Sequence, residues 1–161
     1  MEFAEKFVIR APAIKVWEFL IDPREFCSTV PGSEFVRMVD EKSFISNMVV
    51  KLGIFKICVQ TKSEYTEVVP PHSLKVVNHG TETKMMGGVS QKAEVFLDSK
   101  GESETEVSIS ISTTVTGRLA TFGDRIARGK AREIAREFVQ AVKNKLENRA
   151  LTELGNNVSS L

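Results

Sequence analysis

Seven stretches of this chain alternate apolar and polar residues with a period of two, and most are separated only by short turn-forming sequences. The clearest is Thr105-Glu106-Val107-Ser108-Ile109-Ser110-Ile111-Ser112-Thr113-Thr114-Val115, with odd positions mostly apolar or β-branched and even positions polar. That is the pattern of a strand with one buried and one wet face. Val89–Asp98 repeats it through Val89, Ala93, Val95 and Leu97, and Phe55, Ile57, Val59 and Tyr65 stand against Lys56, Gln60, Lys62 and Glu64. Phe3–Arg10, Glu34–Val39, Phe44–Leu52 and Leu74–Thr81 carry weaker versions. The separators are Asp40-Glu41-Lys42, Gly53, Pro70-Pro71-His72, Gly87-Gly88 and Ser99-Lys100-Gly101, residue types that turn the chain. Seven strands joined in this way make an antiparallel meander, and its apolar face must be covered.

Only one segment is long enough to cover it. From about Arg118 to Glu147 the period changes to that of a helix. Leu119, Ile126, Ala127, Ile134, Phe138 and Ala141 fall on one side, and Arg118, Arg125, Arg128, Arg132, Arg136 and Lys143 on the other. Between the first two strands, Pro12 followed by Ile14, Trp17, Phe19, Leu20 and Ile21 reads as one short helix with Pro12 at its first position. Asp22-Pro23-Arg24-Glu25 reads as the capped start of a second, running to about Thr29. After Arg149 the periodicity is lost. The expected organisation is one α+β domain over residues 1–149 and a short flexible tail over 150–161. A curved sheet closed over one helix leaves a hydrophobic cavity, so binding of an apolar ligand is the first functional expectation.

Composition agrees with a single globular unit: 161 residues, 42% hydrophobic and 27% charged. No apolar run approaches the ~18 residues of a membrane span, and Met1-Glu2-Phe3-Ala4-Glu5-Lys6 does not read as a signal peptide. A cytoplasmic protein is therefore expected. Two cysteines, Cys27 and Cys58, do not make a disulfide framework, and each is expected to be a small buried hydrophobe. The net charge of +1 argues against nucleic acid as partner, but it is unevenly spread. Residues 117–149 carry nine Lys or Arg against four Asp or Glu, whereas residues 1–116 are net −3. Arg125, Arg128, Arg132 and Arg136 form a basic ridge able to meet anionic lipid or an acidic protein partner.

The element order resembles the helix-grip (START-like, Bet v 1-like) superfamily, and the finer detail resembles the CoxG family, the G subunits of carbon monoxide dehydrogenase. The residues that carry the likeness are Ala11-Pro12, Val16-Trp17, Leu20, Asp22-Pro23, Val30-Pro31-Gly32, Val50-Lys51-Leu52-Gly53 with Lys56, and Pro70-Pro71-His72-Ser73. To these are added Val115-Thr116-Gly117-Arg118-Leu119-Ala120-Thr121-Phe122-Gly123-Asp124-Arg125-Ile126 and Glu137-Phe138. The resemblance implies a non-catalytic accessory protein of a molybdenum hydroxylase-type carbon monoxide dehydrogenase. Such a protein would recruit the enzyme to the inner face of the membrane and carry a menaquinone-like quinone, with no covalently bound cofactor. Helix-grip folds also host polyketide cyclases and aromatases, which is a second reading, and a ligand-free protein-interaction module is a third.

Candidate site residues follow from strand parity and helix face. Asn78, Gln91 and Thr113 share faces with apolar neighbours, and a buried polar group needs a partner in the protein or on a ligand. Ile111, Trp17, Phe122, Ile126 and Ile134 are expected to form cavity wall, and Lys130 falls on the apolar side of the long helix. Amide and ammonium donors suit a quinone carbonyl. Met85-Met86-Gly87-Gly88 reads as a greasy, mobile lip, and Gly123 as a gap widening the entrance. His72 and His79 complete no three-ligand set, so neither metal nor catalytic residues are expected.

Overall fold

The computed structural model describes residues 1–82, 84 and 87–159. Met85 and Met86, expected to form a lip, lie outside the described residues. The elements run β1 (Glu2–Ile9), α1 (Ala13–Leu20), α2 (Pro23–Thr29), β2 (Ser33–Met38), β3 (Ser43–Leu52), β4 (Phe55–Val69), β5 (Ser73–Glu82), β6 (Gly87–Ser99) and β7 (Thr105–Thr116). A 3₁₀ turn, Gly117–Phe122, then leads to α3, Asp124–Ser159.

All seven strands form one antiparallel sheet in the order β1-β7-β6-β5-β4-β3-β2. From β2 to β7 every strand pairs with the next in sequence, as alternating segments with short turns require. The exception is the first connection. β1 and β2 lie on opposite edges, so α1 and α2 carry the chain from one edge to the other. Asp22 caps α2, its carboxylate accepting from the backbone N–H of Arg24 at 3.0 Å and of Glu25 at 3.4 Å. Pro12 precedes α1 as its extended cap, one position earlier than expected. Register shifts between Phe35 and Arg37 and between Tyr65 and Glu67 increase the local bend of a sheet that is curved around α3.

α3 differs from the expected helix at both ends. Its start is Asp124 rather than Arg118, because Gly123 takes φ +84° and ψ 155° and separates it from the 3₁₀ turn. That backbone region is open essentially to glycine alone. At the other end the helix continues past Arg149 to Ser159, so the segment expected to be flexible is helical over its described part. Leu151, Leu154 and Val158 there are largely exposed.

The main core fills one end of the molecule. Val16, Trp17, Phe19 and Leu20 of α1 pack with Ile9, Leu74, Leu97 and Val107 of the sheet and with Val142 and Leu146 of α3. Thr105, fully buried, ties this end together by donating its hydroxyl to the carbonyl of Ala11 at 2.8 Å. A ring of ion pairs outside it joins the helices. Glu25 lies 2.7 Å from Lys145 and 3.2 Å from Arg149, and Lys15 lies 3.6 Å from Glu153. Ile57, Val59 and Leu119 form a smaller cluster at the opposite end. Cys27 is buried as expected, but Cys58 is exposed: its even position in β4 turns it to the wet face.

Candidate functional site

Between the concave face of the sheet and α3 lies a cavity of about 410 Å³. Every strand except β2 contributes to its wall, through the apolar members of each two-residue repeat. The covering helix contributes Ala127, Ala131 and Ala135, spaced four apart on its inward side, along with Ile134 and Phe138. Three alanines facing an apolar sheet leave volume that larger side chains would occupy, and this accounts for the open space. A volume of this size falls within the 300–1,000 Å³ typical of small-molecule sites.

The polar residues picked out by parity meet in this cavity. Asn78, Gln91 and Thr113 are cross-strand neighbours on β5, β6 and β7. The Asn78 amide donates to the Gln91 side-chain oxygen at 3.4 Å, and the Gln91 amide donates to the Thr113 hydroxyl at 3.2 Å. Ser63 of β4 stands opposite Asn78 in register and also lines the cavity. A row of four neutral polar side chains thus crosses a mostly apolar floor, to which Thr61 of β4 and the exposed Glu5 of β1 are the further polar contributors. Ser63 was not among the expected site residues, although it keeps the parity of Val59 and Tyr65. The Tyr65 hydroxyl donates to the Leu20 carbonyl at 3.4 Å, and burial pushes its acidity well below that of an ordinary phenol.

Ile111, Phe122 and Ile134 line the cavity, and so does Lys130. The Lys130 ammonium turns along the helix toward the half-exposed carboxylate of Glu133, 3.3 Å away, which places the charge at the rim with the stem along the wall. Three expectations are corrected. Trp17, 4% exposed, is part of the packed core and not of the cavity wall, because α1 fills the closed end. Ile126 is 51% exposed. The inward stripe is centred on Ala127, Ala131, Ile134 and Phe138, and Ile126 sits on its flank at the end where the cover is thinnest. Gly123 is exposed and is not part of this cavity's lining; its contribution is the backbone break before α3. Arg125, Arg128, Arg132 and Arg136 all face solvent, Arg128 lying 4.0 Å from Asp124. Among the described residues there is no cluster of three His, Cys, Asp or Glu side chains fit to hold a metal ion. Nor is any helix among them long and apolar enough to cross a membrane.

A profile of the CoxG family, the G subunits of carbon monoxide dehydrogenase, matches residues 6–147, most of the chain. The chain belongs to the CoxG family. Solved structures share its fold at low identity. A conserved protein from Geobacillus kaustophilus superimposes with a TM-score of 0.82 at 18% identity, covering 92% of this chain and 96% of that one. The Zhui aromatase/cyclase from Streptomyces sp. R1128 does so at 0.67 and 14%, covering 92% and 94%. A START superfamily protein from Mycobacterium smegmatis does so at 0.63 and 10%, covering 91% and 97%. The fold is therefore the START-like helix grip. No curated protein sequence matches.

Proposed function

We propose that this CoxG-family chain is a non-catalytic carrier of a prenylated quinone or a similarly apolar lipid. In this reading it is an accessory factor that brings a molybdenum carbon monoxide dehydrogenase-type enzyme to the membrane. The observation that carries the proposal is an apolar cavity whose floor holds a row of neutral hydrogen-bonding groups. The row suits recognition of a polar head on a greasy molecule. Gln91 uses one amide hydrogen on Thr113, leaving the second for a ligand carbonyl. The apolar wall of Val76, Ala93, Val95, Ala131, Ile134 and Phe138 takes the hydrocarbon.

Chemistry on the bound molecule would need an acid and a base converging on it. Among the described residues, the charged side chains that line the cavity are Glu5 and Lys130. Lys130 is engaged by Glu133, and Glu5 stands on the edge strand β1 and is exposed. That supports carriage over cyclisation. The basic ridge of α3 supplies a face for anionic lipid or for an acidic enzyme surface, held peripherally on the inner side of the membrane.

Titration with a short-tailed naphthoquinone tests the head-group assignment. Gln91→Leu is expected to weaken binding about three- to ten-fold, the equivalent of one neutral hydrogen bond. Lys130→Leu is expected to weaken it less, since its charge is directed to the rim. Unchanged affinity in Gln91→Leu would remove the polar row from the site, and turnover of a poly-β-ketone substrate by the wild-type chain would favour the cyclase reading.

A further inference from the structure

The two ends of the cavity are built differently. The closed end is packed by α1 and α3, with Val16, Phe19, Val142 and Leu146 almost fully buried. At the other end the β3–β4 hairpin carries Ile54, 95% exposed, and Phe55, 52% exposed, with Gly53 at φ +58° making the tight turn. An aliphatic side chain left almost wholly in water at a hairpin tip contributes nothing to folding. The tip is also continuous with the cavity. Phe55 stacks edge-on against Phe122 of the 3₁₀ turn, ring centres 5.5 Å apart, and Phe122 and Leu52 both line the interior. Ile126, half-exposed, extends this greasy rim onto the first turn of α3.

Charge divides along the same axis. Antiparallel pairing puts the β3–β4 turn, the paired ends of β5 and β6 and the 3₁₀ turn at the rim end, together with exposed Lys51, Lys56, Lys84, Arg118 and Arg125. Asp124 is an exposed acid beside them. The turns at the far end expose Asp40, Glu41, Asp98, Glu102 and Glu104 against Lys42 and Lys100. A molecule basic at one end and acidic at the other is oriented by a negatively charged plane, basic end inward.

We propose that this rim is a membrane-docking edge: it meets an anionic lipid surface with Ile54 and Phe55 entering the interface, so that the cavity opens toward hydrocarbon. The inference goes beyond the basic ridge of α3 by naming the edge that inserts, and it rests on the carrier reading for its purpose though not for its measurement. Replacing an exposed tip residue leaves core and cavity intact, so Ile54→Trp reports insertion directly. With vesicles of phosphatidylcholine and phosphatidylglycerol carrying brominated acyl chains, the fluorescence of the new tryptophan is expected to be quenched. The native Trp17, buried at the closed end, is the internal reference and is expected to stay unquenched. Ile54→Asp is expected to reduce partitioning onto these vesicles by about ten-fold, and Lys51→Glu with Lys56→Glu to do so with a loss of salt sensitivity. Vesicle binding that leaves the new tryptophan unquenched would place the docking face elsewhere. Absence of binding to anionic vesicles would overturn the proposal in favour of a protein partner at this edge. Either result leaves untouched the naphthoquinone titration that tests the carrier reading, so failure of the docking edge and failure of the carrier reading are separable.

Discussion

Gln91 sits at the centre of the cavity floor, receiving a hydrogen from Asn78 and giving one to Thr113. Its replacement by leucine strands both neighbours in apolar surroundings, and thermal or denaturant unfolding is expected to show a loss of about 1–3 kcal/mol in stability. Ala131 poses the opposite test. Ala131→Phe projects a ring into space the protein leaves open, so cargo is expected to be lost while stability stays within about 1 kcal/mol of wild type. Asn78, Gln91 and Thr113 were legible in the sequence because strand parity is strict: a polar residue that continues at two-residue spacing from Leu74 and Val76, or lies between Val89 and Ala93, has to face inward. Ser63 stands between Thr61 and Tyr65 and lacks that apolar contrast. Cys58 obeys the same rule against its residue type, since a thiol favours burial while an even position in β4 points out. Trp17 departs from expectation for a different reason. Alternation and helical faces say that a side chain is covered, but not whether it meets protein or open space. The alanines of α3 hold that information, and small residues attract little notice in a hydrophobic pattern.

α3 works as two segments with different packing. Its first half spans the cavity on partly covered side chains, and its second half is fixed by buried Val142 and Leu146 and by the Glu25, Lys145 and Arg149 ion pairs. Hydrogen bonds from Lys145 and then from Arg149 hold the Glu25 carboxyl below the usual carboxylate range. A carboxylate with a depressed folded-state pKa adds stability above its unfolded pKa and loses that contribution as the pH falls through the folded value. Glu25→Gln is therefore expected to cost about 1 kcal/mol at neutral pH, consistent with partly exposed pairs. The difference from wild type should vanish in melts carried out in acid. A gap that persisted in acid would mean that Glu25 acts through packing and not through charge. At the front of the helix, Gly123→Ala forces a side chain into a glycine-only conformation, with an expected loss of about 1–3 kcal/mol on unfolding. The helix itself was evident from its period. Its true start was hidden because the apolar spacing runs on through Leu119 and Phe122, and a periodic pattern does not register a single positive φ.

Across the whole molecule, one end is sealed and acidic at its turns and the other is greasy and basic, with the cavity between them. This arrangement follows from connectivity: α1 and α2 cross at one end of the sheet and fill it, and among the described residues the opposite end carries the β3–β4 hairpin, the 3₁₀ turn and the first turn of α3. The meander and its cover were visible in the sequence, because each needs only local periodicity. The asymmetry of the ends was beyond it, since it depends on which turns the antiparallel order gathers together. The carrier function requires that the open space between sheet and helix hold cargo. Native mass spectrometry of the chain purified from a host that makes prenylated quinones tests this most directly. The wild-type protein is expected to carry the added mass of one quinone, and folded Ala131→Phe to lack it; a wild-type chain that emerges folded and bare from that host would contradict the carrier assignment.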